Sequence, residues 1–111
     1  MEIQGLAKNL GLDLEDFNEI FEIYAETTSS DLEELKQALR YGDAQRAHEK
    51  AHSIKGASGN LGLDEVYELA KEIDDRARAN SLDGLGDAVH ELRKKHENLV
   101  EDFKKGGLMV T

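Results

Sequence analysis

Four histidines stand in a chain without cysteine, and His52 alone has neighbours that suit an imidazole to group transfer. Lys55, Gly56 and Gly59 follow it at i+3, i+4 and i+7. If the segment is helical, all three share its face. An exposed imidazole is a nucleophile near neutral pH. Phosphorylating it would place about two negative charges on the helix surface, and Lys55 offers a point charge to offset them. The two glycines would leave a shallow trough through which another protein's active site could reach the ring. Each interior helical glycine costs about 0.8–1.0 kcal/mol relative to alanine. A chain without proline that uses alanine freely elsewhere accepts this penalty twice in one short segment. Asn60 and Ser58 either donate to a docked protein or are polar residues near the helix end, with Ser58 packing as a small residue.

The other histidines suggest less. His48 lies one turn before His52, and Glu49-x-x-His52 imitates half of a di-iron carboxylate motif. That site needs a second copy on a facing helix, and the nearest approach, Asp87-x-x-His90, has the wrong acid. Lys55 would also oppose a cation, so no metal is expected on this chain. His90 and His96 read as ordinary helix-surface or boundary residues. There is no glycine-rich phosphate loop, so the chain is expected to receive a phosphoryl group from a partner rather than to act as a kinase.

Helices must position these residues. The apolar residues recur at three- and four-residue spacing between clusters of Gly, Asn, Asp and Ser. A short segment over residues 2–10 carries Ile3, Leu6 and Leu10. Asp13 caps a long helix to Arg40 with the stripe Phe17, Ile20, Phe21, Tyr24, Thr28, Leu32, Leu35 and Leu39. A third helix spans about 44–60, with Ala44, Ala47, Ala51, Ile54 and Leu61 inward. The fourth starts at Asp64 with Val66, Leu69, Ala70, Ile73 and Ala77. The last carries Leu85, Val89, Leu92, Leu99, Val100 and Phe103, and ends at Gly106-Gly107. The predicted fold is all-α, an antiparallel four-helix bundle with a short extra N-terminal helix. It forms one domain over residues 1–105, with a tail at 106–111. A hairpin turning near Gly62 pairs positions summing to about 125, which sets Asp74 close to the level of His52. Arg78 follows one turn on. It either reaches a phosphoryl group or pairs with Asp74 at i,i+4, and the pairing is the preferred expectation.

Charge limits the partners. Fourteen Lys and Arg against 24 Asp and Glu leave a formal charge of −10 over 111 residues. Such a chain repels nucleic acid and anionic lipid, so its partners are expected to be proteins. It has no apolar run of membrane-spanning length, and its first twenty residues are polar and acidic. A cytoplasmic monomer is the expectation.

The run from Ala51 to Gly62 resembles the histidine phosphotransfer (HPt) domains of multistep phosphorelays. Their motif runs His-x-Ile/Leu-Lys-Gly, then a small residue, then hydrophobic-Gly about nine residues after the histidine. His52, Ile54, Lys55, Gly56, Ser58, Leu61 and Gly62 match it, and the helix order agrees from about residue 13 to 103. The resemblance implies that His52 accepts a phosphoryl group from an aspartyl phosphate on a response-regulator receiver domain and passes it to another. It also implies that the receiver brings the Mg²⁺ and the acidic pocket, so no cofactor is expected on this chain. Lys55 would then stabilise the phosphoryl group and Gly56 would give access to the ring, with Gly59, Asn60, Asp74 and Arg78 in support. In some relatives the place of Asp74 holds a carboxylate or amide bonded to the ring Nδ1, which leaves Nε2 as the nucleophile. The competing reading of Asp74 is a solvated acid in the run Asp74-Asp75. The same fold serves as the phosphorylated domain of chemotaxis histidine kinases, and hybrid histidine kinases are further candidate partners. A rival function is a phosphate-independent module that binds receivers or kinases, which would not need an intact His52–Lys55–Gly56 set. In the family the first helices contact the receiver. Leu10, Leu12 and Leu14 are expected either there or as a hydrophobic staple.

Overall fold

A computed structural model describes residues 3–105 of the chain, with side chains from residue 5 onward. The predicted tail and the Gly106-Gly107 terminus lie outside the described residues, as does the side chain of Ile3. Five helices follow in order: α1 (Ile3–Asn9), α2 (Leu14–Arg40), α3 (Ala44–Asn60), α4 (Asp64–Arg78) and α5 (Leu85–Lys105). Among the described residues there is no strand, and the all-α expectation holds.

Local chemistry sets the boundaries. Asp13 Oδ1 accepts from the Asp16 amide at 2.8 Å, and Asp43 Oδ1 accepts from the Arg46 amide at 3.0 Å. Each cap satisfies one of the donors a helix start leaves open. Gly42 and Gly62 adopt φ of 68° and 72° in the turns that follow α2 and α3. This left-handed conformation is one that residues with a Cβ rarely adopt.

Packing then decides the layout. The α3–α4 hairpin forms the most extensive helix pair, followed by α2 against α3. The buried face of α3 is mostly small, with Ala47, Ala51 and Ser58 around Ile54, so its neighbours can come close. Phe17, Phe21 and Phe103 join α2 to α5 at one end of the bundle. The Phe21 and Phe103 rings are stacked, with centroids 4.1 Å apart. Leu35, Ile54, Leu63, Ile73, Leu85 and Leu92 are fully buried between them and continue the core.

Two expectations need correction. Ile20, assigned to the buried stripe, is 40% exposed. The contact between Ser53 and Asp31 sets α3 against α2, and counting outward from it brings the end of α3 opposite about residue 24. The 27-residue α2 therefore overruns the 17-residue α3, and Ile20 and Ile23 project beyond the cover. His96, read as a surface or boundary residue, is buried between α5 and α2. Its Nε2 lies 2.8 Å from Ser29 Oγ, and its ring meets Tyr24 edge-on. Burial holds the His96 ring below the usual imidazole pKa.

Candidate functional site

The site forms where one face of α3 meets one residue of α4. Asp74 has no solvent-accessible side chain, yet it stands on a helix of 15 residues that is acidic in its first turn and polar along its outer face. A carboxylate this buried needs partners, and four side chains supply them. Asp74 Oδ1 meets His48 Nδ1. Asp74 Oδ2 lies 3.2 Å from His52 Nδ1, 3.3 Å from Lys55 Nζ and 3.4 Å from an Arg78 guanidinium nitrogen. Burial alone would raise the carboxyl pKa. The hydrogen bonds from His48, His52 and Lys55 outweigh it and hold the group below its ordinary value, so Asp74 is ionised at neutral pH.

An ionised carboxylate only accepts hydrogen bonds, so each ring nitrogen that meets it carries the hydrogen. In the neutral rings this leaves the lone pair on Nε2. The His52 side chain is 60% exposed, whereas that of His48 is 25% exposed. Of the two imidazoles on Asp74, His52 is the one presented to a visiting molecule. Lys55 and Arg78 outnumber Asp74 in formal charge, so this small region is cationic within a chain of net charge −10.

The glycines divide. A Cβ at Gly56 would meet no atom within 4 Å, so the surface one turn beyond His52 is open. A Cβ at Gly59 would come 3.2 Å from Tyr67 Cδ2. The space at Gly59 is thus taken by an aromatic ring of α4, and the expected two-glycine trough is open at Gly56 only. Asn60 is exposed at the last position of α3, eight residues from His52, and does not join the cluster. Ser58 packs as expected, fully buried, and donates back to the Ile54 carbonyl at 2.7 Å.

The other site expectations fare unevenly. Asp74 is not a solvated acid, and the hairpin register that set it level with His52 is correct. Arg78 makes the expected i,i+4 pair. The Lys55 side chain is only 22% exposed and directed at Asp74, so it is structural as well as electrostatic. From the sequence alone, His48 suggests only half of a metal pair. The signal that finds it is its i,i+4 spacing to His52, since a group opposite one ring lies within reach of the other. Ser53 Oγ, to which the sequence assigns no role, donates to the buried Asp31 Oδ2 at 2.8 Å. This bond ties α3 to α2 one residue from His52, while Ala47, Ala51, Ile54 and Ser58 form the buried face that leaves His52 outward. Among the described residues no cluster of His, Asp and Glu is arranged to hold a metal ion.

Fold and site together define a helical bundle that displays one oriented, accessible imidazole beside two cations. The Hpt domain family model matches residues 19–102, and the chain belongs to that family. As a class, Hpt domains are phosphocarriers rather than kinases. Among solved structures, the chain is similar to the crystal structure of histidine-containing phosphotransfer protein B from Pseudomonas aeruginosa PAO1. The TM-score is 0.84 at 24% identity, over 96% of this chain and 92% of that one. None of the curated proteins matches the sequence significantly. Among the described residues no helix is long and apolar enough to cross a membrane.

Proposed function

We propose that His52 takes a phosphoryl group from the aspartyl phosphate of a receiver domain and passes it to a second receiver. The observation that carries this reading is an exposed imidazole whose Nδ1 is anchored on a fully buried, ionised carboxylate. The Nε2 lone pair attacks phosphorus and a P–N bond forms. The P–O bond to the receiver's aspartate breaks, and its electron pair leaves as the carboxylate. The ring then carries positive charge, and Asp74 faces the Nδ1–H that holds part of it. Lys55 and Arg78 stand beside the ring as permanent cations that offset the phosphoryl charge. Gly56 leaves the approach clear. The receiver supplies the Mg²⁺ and the acidic pocket, so this chain contributes the acceptor and its electrostatic setting. Transfer in the opposite direction follows the same path reversed.

The receiver docks on the apolar surface that α3 leaves uncovered. Ile20 and Ile23 are exposed there, Ile23 by 67%. Ile23 stands eight residues along α2 from Asp31, about 12 Å of helix rise, toward the end of α3 on which Gly56 lies.

Replacing the acceptor tests the assignment. His52→Gln is expected to abolish acid-labile labelling by a phosphorylated receiver, with helical circular dichroism unchanged. Label on His48, His90 or His96 in that variant would overturn it.

A further inference from the structure

We propose that His48 is a positioning residue for His52, acting through the carboxylate they share. The inference rests on the phosphocarrier reading of His52 and adds a residue to it. Asp74 has two oxygens and four donors. Lys55, Arg78 and His52 all converge on Oδ2, and Oδ1 faces His48 alone among its hydrogen-bond and ion-pair partners. A buried carboxylate oxygen without a donor is costly. In the absence of His48, the cheapest repair is rotation of the carboxylate so that both oxygens face Lys55 and Arg78. That rotation would withdraw the acceptor from His52 Nδ1, which now lies 3.2 Å from Oδ2.

The consequence falls on the reacting atom. His52 can attack phosphorus through Nε2 only while the ring hydrogen is on Nδ1. A carboxylate held in place by His48 enforces that tautomer, because it accepts at Nδ1 and does not donate. Without it, the ring is free to carry its hydrogen on the outer nitrogen, where the lone pair is needed. His48 therefore sets the fraction of His52 rings ready to react. It does not itself meet the phosphoryl group: its own Nδ1 is engaged on Asp74, its side chain is only a quarter exposed, and the ring centroids lie 5.8 Å apart.

The test measures the tautomer directly and the chemistry separately. Long-range ¹⁵N–¹H correlation spectra of the wild-type protein at neutral pH should show both His48 and His52 with the hydrogen on Nδ1. If His48 carries it on Nε2 instead, it cannot donate to Asp74 and the proposal is overturned, with no variant needed. In His48→Ala the His52 signals should move toward the Nε2–H form. Labelling of His52 by phosphoramidate, a small phosphodonor that needs no docking, should slow roughly tenfold, the lower end of what losing an orienting partner costs elsewhere. His48→Gln retains an N–H donor and should restore both the tautomer and most of the rate, which a merely structural role for position 48 would not predict. An unchanged His52 tautomer in His48→Ala sinks the proposal. If the wild type takes no label on His52 at all, the carrier reading fails, and the spectra still decide the role of His48.

Discussion

Asp74 is the residue on which both stability and chemistry converge. Removing one partner of a fully buried ion pair destabilises by about 3–5 kcal/mol. His52 and Arg78 keep much of their solvent contact, so Asp74→Ala should cost less, about 1–3 kcal/mol, measured by urea unfolding at pH 7. The pH dependence has a definite sign. The folded-state pKa of Asp74 lies below its unfolded value, so its contribution is present above the ordinary carboxylate range and is lost as pH falls through the folded value. Asp74→Ala should therefore flatten the acid limb of the stability curve below about pH 4. Lys55→Ala should lower stability by about 0.5–1.5 kcal/mol, more than the near-zero change expected of a free surface lysine. It should also slow transfer from a receiver more at low salt than at high salt. Equal transfer rates for wild type and variant at both salts would restrict Lys55 to its structural part.

Within α3, two glycines of the same type face opposite demands. Gly56→Ala meets open space and should stabilise by up to about 1 kcal/mol through helix propensity, read as a higher melting temperature. Gly56→Leu should keep much of that stability but slow transfer, since its side chain fills the approach to His52. Gly59→Ala should give no such gain, because the Tyr67 ring must yield to the new methyl. The helices were legible in the sequence because their signals are local: Asp13 and Asp43 at the starts, glycines at the turns, apolar residues every three or four positions. Asp74 was legible from hairpin register, which needs only one turn and a constant rise. Gly59 and Ile20 were not. The use of the one depends on an aromatic ring of another helix, and the exposure of the other depends on the unequal lengths of α2 and α3. His48 escaped because its partner belongs to a network that a single-residue reading does not assemble.

At the scale of the whole bundle, His96 makes the α2–α5 seam acid-sensitive. Burial lowers its pKa in the folded state, so as pH falls the unfolded chain takes up the proton first and stability drops. Unfolding free energy should begin to decline near pH 6.5, the ordinary imidazole range, well before the carboxylates titrate. His96→Leu should remove that early decline, and its persistence in the variant would point to another group. The parts that would meet a partner are distributed differently from the parts that would react with it. His48, His52, Lys55, Asp74 and Arg78 all lie within α3 and α4, one hairpin of 35 residues from Ala44 to Arg78, whereas Ile20 and Ile23 belong to the overhang of α2. Local, hairpin-scale contacts often behave as one cooperative unit, and the overhang is held separately, by Phe17 and Phe21 against Phe103 of α5. If the overhang meets the receiver as proposed, substitutions of Ile20 and Ile23 would retune which surfaces the bundle recognises without passing through the reactive set. Partner choice and reactivity become separately mutable traits of one small chain.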